Sequence, residues 1–218
     1  MSAPVATRAA ALKIEFGRHL VVPHPYAHGR PEATPPRLAW SDVAGRLVEL
    51  SGAGNTATLS LACALVLDAQ REGETVAWIR RAESHFYPPD AAAGGIDLAA
   101  LAVVRCPDAK AVVRAADRLA RSGAFGLLVL DLGAGDVPMP LQSRLAGLAQ
   151  KHDAAILLLT EKKGDAPSVG SLVSLRGQAE RRSAEGGRFV CRFQAIKDKH
   201  RGPGRLTETV HHGPPGLC

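Results

Sequence analysis

Two short runs constrain the fold of this chain more than anything else: "LLVLD", ending at Asp131, and "AAILLLT", ending at Thr160. Both are apolar without a break, so neither can lie on a sheet with one wet face. They read as central parallel strands covered on both sides. Between them Leu141, Leu145 and Leu148 recur at helical spacing, which predicts a helix over residues 141–151 lying on the sheet. Upstream the alternation continues. Leu47 to Leu50 reads as a strand, Thr58 to Glu72 as an apolar helix closed by Gly73, and Thr75 to Ile79 as the next strand. "HFYPPDAAAGGIDL" reads as an irregular connection leading to a strand at Ala102 to Cys106. Ala109 to Arg121 reads as an amphipathic helix with Val112, Val113, Ala116 and Ala120 inward and an Asp117/Arg121 pair on its wet side. Strand and helix in turn make an open α/β sheet with right-handed crossovers, a central mostly parallel sheet flanked by helices. Beyond Gly170, "SLVSLRGQAERR" and "RFVCRFQAIKDKH" read as antiparallel strands at the C-terminal end.

The chain has 218 residues, 46% of them apolar and 22% charged, enough for one folded domain. Residues 38–204 are expected to form that core. Residues 1–37 read as an arm and 205–218, rich in Gly and Pro, as a flexible tail. One stretch of the arm has strand character: Leu12, Ile14 and Phe16 alternate with Lys13 and Glu15. It could extend the chain's own sheet or add a strand to a partner's sheet edge. No apolar run approaches a membrane span and no basic-then-apolar leader opens the chain, so a cytoplasmic protein is expected. Cys63, Cys106 and Cys191 sit within apolar patterns as reduced thiols, and Cys218 with His211 and His212 matches no zinc spacing, so no metal is expected.

The net charge of +6 is localised. Lys151 to Arg205 carries 12 Lys and Arg against 6 Asp and Glu, while the rest of the chain is balanced. Such asymmetry fits an anionic partner or an acidic protein surface, or a solvated basic face. Lys162, Lys163, Arg176, Arg181 and Arg182 form the candidate patch for DNA or a partner. No aromatic residue interleaves with them in the sequence, so any DNA binding is expected to be weak, salt-sensitive and sequence-independent.

In an open α/β sheet a ligand lies at the carboxyl ends of the strands. Here that place is taken by "SGAGNTATLS". A phosphate-binding loop of pattern GxxxxGK[ST] needs glycines for a backbone nest, a lysine for the outer phosphates and a hydroxyl for magnesium. With Gly52 as the first glycine, the second falls on Ala57, the lysine on Thr58 and the hydroxyl on Leu59. The loop Gly52, Ala53, Gly54, Asn55, Thr56, Ala57, Thr58 is therefore degenerate, and no lysine lies between Lys13 and Lys110. A helix N-terminus supplies only about half a unit of positive charge, so ATP binding is expected to be weak or absent. Asp131 occupies the place of a metal-orienting acid, and Glu83 that of a water-activating base or the partner of Arg80 or Arg81 in a surface ion pair.

"GRLVELSG", "AQREGETVAWI", "LARSGAFGLLVLD", "RLAGLAQKHDAAILLLTEKK" and "AIKDKHRGPG" resemble, in order and spacing, the ATPase core of RecA recombinases over Gly45 to about Gly204. "FYPPDAAAGGIDL" and the eroded loop are more similar to the ImuA group, the RecA-like, SulA-like proteins of bacterial mutagenesis cassettes. The resemblance implies a RecA-like fold, an SOS or DNA-damage role, and RecA, ImuB and an error-prone polymerase as partners. It matches Gly52 to the first loop glycine and Asp131 to the metal-orienting aspartate. It matches Lys197 and Lys199, with Arg201 beside them, to basic positions facing a neighbouring subunit's nucleotide. "LGAGDVPMP" and "EKKGDAPSVG" are much shorter than the two DNA-binding loops the resemblance implies at those points. The reading favoured is a non-catalytic accessory protein that promotes translesion synthesis over recombination. The alternatives are a DNA-dependent ATPase using Glu83 and Asp131 with Lys197 or Arg201, and a SulA-like division inhibitor acting on FtsZ.

Overall fold

The computed structural model describes residues 37–54 and 56–212, and of His212 the backbone alone. Eight strands form one sheet in the order β3-β2-β4-β5-β1-β6-β7-β8. They are β1 Leu47–Gly52, β2 Val76–Arg81, β3 Leu101–Cys106, β4 Leu127–Gly133, β5 Ala155–Glu161, β6 Leu175–Ala184, β7 Arg188–Asp198 and β8 Leu206–His212. From β3 to β6 every pairing is parallel; β6–β7 and β7–β8 are antiparallel. The α/β architecture read from the sequence is therefore the one observed.

The helices are α1 Thr58–Arg71, α2 Pro88–Ala93, α3 Ala109–Ser122 and α4 Met139–His152. α1 buries Leu61, Ala62, Leu65, Val66 and Ala69 on one face of the sheet, against Val48, Leu50, Trp78, Val129, Leu157 and, further along, Cys191 and Phe193. α3 and α4 cover the opposite face through Val112, Val113, Ala116, Leu145 and Ala149, packed on Ile79, Leu130, Ile156 and Leu158. This two-sided cover is why β4 and β5 are buried almost throughout, with Glu161 the exposed end. α3 is bounded as its sequence dictates. The Asp108 carboxylate accepts the Ala111 amide at 2.7 Å, and Gly123 ends the helix at φ +66°, a conformation that costs residues with a Cβ.

Three elements differ from the sequence reading. The Pro/Ala/Gly-rich connection after β2 contains α2, because Pro88 and Pro89 fit a first helical turn, where no backbone donor is needed. Residues 206–212, placed by the sequence in a flexible tail, form β8; Thr207 and Thr209 pair with Phe193 and Cys191 of β7, where β-branched side chains fit the sheet. Asp117 is not on the wet side of α3. It is buried and takes Arg121 at 2.8 Å and Arg144 of α4 at 3.2 Å, tying the two helices together. Leu12, Ile14, Phe16, Cys218 and Asn55 lie outside the described residues. Cys63, Cys106 and Cys191 are free thiols; burial, with Asp90 nearby, pushes the Cys63 thiol up to about 11.

Candidate functional site

β1 feeds α1 through residues 53–57, between the carboxyl end of β5 and the middle of β6, which flank β1 on its two sides. This junction is the sheet's switch point, since the chain leaves β1 for β2 in one direction and later returns to build β6 in the other. A pocket of about 130 Å³ opens here, lined by Gly52, Thr56, Thr58, Leu59, Arg81, Ser84, Asp131 and Glu161 among others. Sites that enclose a small organic ligand are typically about 300–1,000 Å³, so the single chain presents only a small cavity.

The inside of the loop is occupied by its own side chains. The Thr56 hydroxyl accepts the Thr58 amide at 3.1 Å, donates to the Ala179 carbonyl of β6 at 3.2 Å and pairs with the Thr58 hydroxyl. A Cβ added at Gly52 would overlap the Thr56 hydroxyl, so Gly52 is needed here to admit threonine rather than a ligand. A phosphate seated in this turn would have to displace Thr56 from the first helical amide. Leu59, at the position a magnesium-binding hydroxyl would take, is exposed and offers no oxygen.

The cation of the pocket comes from elsewhere. Arg81, at the end of β2, places its guanidinium 3.6 Å from Asp131 and 3.5 Å from Glu161. It lies across Gly133, where a Cβ would collide with it. Arg80 instead donates to the Ser84 carbonyl at 2.8 Å, so neither arginine forms the expected ion pair with the exposed Glu83. Glu83 lines a second cavity of about 280 Å³ with Arg81, Asp108 and Gly135.

The basic residues divide. Arg176 is not part of an exposed patch: it is 3% exposed, and its guanidinium holds the carbonyls of Lys163 and Ala166 and the Ser51 hydroxyl. Lys162 lies 3.4 Å from Glu49. Glu49, fully buried in β1, also accepts the Thr160 and Ser168 hydroxyls and the Val169 amide, and with Arg176 3.9 Å away it pins the 162–170 loop over β1. Lys163, Arg181 and Arg182 are exposed. Arg181 lies 4.2 Å over the Phe189 ring, which in turn stacks on His211, so the fold supplies the aromatic neighbour absent from the local sequence.

Lys197 and Lys199 both reach the Ser171 carbonyl, at 3.3 and 2.7 Å, and Arg201 pairs with Asp42 at 2.7 Å. Burial, with Lys199 beside it, lowers the Lys197 pKa from its ordinary value. These cations are engaged within the chain.

Sequence reasoning missed Arg81, Glu161 and Glu49. Glu49 left a readable trace, a carboxylate inside the apolar strand "LVEL", because a charge there must find partners. Arg81 left none, since two adjacent arginines at a strand end do not show which turns inward.

The RecA N-terminal domain matches residues 42–153, half of the chain, from just before β1 to just past α4. The chain belongs to the RecA family. Among RecA proteins, it is 37% identical to that of Fusobacterium nucleatum over 94 residues, 43% of this chain and 25% of that protein. It is 32% identical to Protein RecA of a Picosynechococcus species over 122 residues, 50% of this chain and 35% of that one. Protein RecA of a Nocardioides species is 38% identical over 95 residues, 43% of this chain and 27% of its own length. The chain thus spans about a quarter to a third of the RecA proteins it matches. Among the described residues no helix is long and apolar enough to cross a membrane.

Proposed function

We propose that this RecA-family chain has kept the scaffold and given up nucleotide chemistry, and acts as a non-catalytic accessory protein. In this reading it docks on RecA, or on a translesion partner of the ImuB type working with an error-prone polymerase. It thereby favours mutagenic synthesis over recombination in the SOS response to DNA damage. The observation carrying the reading is the Thr56 hydroxyl seated on the Thr58 amide above Gly52. The Thr58 amide is used internally, the loop itself carries no lysine, the neighbouring Lys162 turns its ammonium to Glu49, and Arg81 lies between two carboxylates. A protomer of this kind placed at a RecA neighbour site would cap growth, because a head-to-tail assembly continues only while both faces are competent. Light scattering of the chain mixed with RecA, and separately with ImuB, tests it. A complex with either is expected; no complex with either removes the proposal.

The competing reading, a DNA-dependent ATPase, draws on Asp131 and Glu161 lining one pocket with Arg81. It requires ATP turnover with single-stranded DNA that Asp131→Asn abolishes.

A further inference from the structure

The two faces of the antiparallel extension are not equally covered. Along β7, Cys191, Phe193 and Ala195 point to the face that α1 covers. The alternate residues Val190, Arg192, Gln194 and Ile196 point to the other, as do Leu206, Glu208 and Val210 of β8 by pairing register. The core that α3 and α4 build on that side takes residues from β1 to β5 and none from β6, β7 or β8. Val210, opposite Val190, is 61% exposed and Leu206 43%. β8 is also the last strand of the sheet, so among the described residues its outer amides and carbonyls have no strand partner. A long edge strand carrying exposed aliphatic side chains is a hazard that folded chains usually cover.

The described chain begins beside that edge. The Arg37 carbonyl accepts the Arg205 guanidinium at 2.8 Å, and Arg205 directly precedes β8 and pairs with Asp42 at 2.8 Å. Arg37 also pairs with Asp68 of α1, so the described chain starts between α1 and the residue that precedes β8. The 36 residues before Arg37 contain "LKIEFGR", where Leu12, Ile14 and Phe16 alternate with Lys13 and Glu15. We propose that residues 12–16 of the same chain pair with the free edge of β8 as a ninth strand, setting Leu12, Ile14 and Phe16 on the same face as Leu206, Glu208 and Val210.

Geometry and mass action favour this occupant. Phe16 and Arg37 are separated by residues 17–36, an extended reach of about 70 Å, against about 23 Å for the length of β8. The opposite edge, β3, lies seven strand spacings away, roughly 34 Å across the sheet. A tether of this length gives an effective concentration on the order of millimolar, so pairing within the chain outcompetes pairing with a second copy at ordinary protein concentrations. The register is specified as well: a slip of one residue would turn Leu12, Ile14 and Phe16 away from the face that carries Leu206 and Val210.

Residue-resolved amide exchange on the full chain tests the proposal. The alternate amides of residues 206–212 that point away from β7 should be protected, and Ile14→Asp should speed their exchange by about tenfold or more while the amides bonded to β7 keep their rates. Glu15→Gln should leave the protection in place, and it should not change across about a hundredfold dilution. Equal exchange of the outer amides in the full chain and in Ile14→Asp would overturn the assignment. So would protection that appears only at high protein concentration, which would place the segment on another molecule. The packed core described above is built from residues 38–195, none of which Ile14→Asp alters, so the fold stays available for measurement.

Discussion

At the carboxyl ends of β1, β4 and β5, charged and hydroxyl groups close on one another: Thr56 on Thr58, Arg81 on Asp131 and Glu161, Lys162 and Arg176 on Glu49. On the antiparallel hairpin, Arg181, Arg182 and Arg188 stand exposed, with Phe189 and His211 among them. Both regions are polar and basic in sequence. The difference lies in where a charge finds its partner: sealed in the interior at the strand ends, but open to water on the hairpin, where Arg182 pairs with Glu180 at 3.2 Å and Arg188 donates to the Glu185 carbonyl at 3.0 Å. A group already paired must be released before it can serve a ligand, and in a region of low dielectric that release is costly.

The comparison predicts unequal effects of substitution. Glu49→Ala should cost most, about 3–5 kcal/mol, because it leaves Arg176 buried without its carboxylate. Urea unfolding measures it, and a loss below about 1 kcal/mol would show that the cluster is solvated rather than sealed.

A second buried contact ties the parallel strands to the antiparallel extension: Arg46, just before β1, holds Asp198 at the end of β7 at 2.6 Å. Burial alone would push the Asp198 carboxyl up, but the His200 amide and the Arg46 guanidinium outweigh it, and its pKa falls below the usual value. A depressed folded-state value contributes stability above the ordinary carboxylate pKa, and that contribution is lost as pH falls through the lowered one. Asp198→Asn should therefore lower stability at neutral pH by about 1.5–3 kcal/mol and flatten the decline of Tm below about pH 4. An unchanged acid limb would mean that other carboxylates set it.

Gly52→Ala should cost about 1–3 kcal/mol by forcing Thr56 from its seat. Pairing it with Thr56→Ala should recover only part of that loss, because the closest clash is gone while the Cβ of residue 56 and the Thr58 hydroxyl still lie 2.7 Å from the added Cβ. The smallest effect belongs to the exposed hairpin. Arg182→Ala, whose guanidinium is 59% exposed, should stay within about 0.5 kcal/mol of the parent protein. If it also weakens retention on single-stranded DNA in a salt-dependent way, the outward charges of this region serve an anionic partner.

The sequence made much of the fold legible, because apolar period and helix caps are local. β4 and β5 declared themselves through unbroken apolar runs, and α3 through Asp108 and Gly123. β8 was hidden because "LTETV" has few apolar residues and owes its order to pairing with β7. The candidate site was legible only by subtraction. The missing lysine could be read directly, whereas the turn of Arg81 to Asp131 depends on strands placed side by side by crossovers. The same holds for Arg176, which reads as a surface cation until the 162–170 loop folds over it.

The central proposal is that the loop after β1 is filled from within and cannot seat a polyphosphate. Calorimetric titration of magnesium and ATP into the full chain, with and without single-stranded DNA, tests it most directly. The account predicts no saturable binding tighter than about a millimolar dissociation constant, near 4 kcal/mol. Saturable micromolar binding that Asp131→Asn or Arg81→Ala abolishes would contradict it.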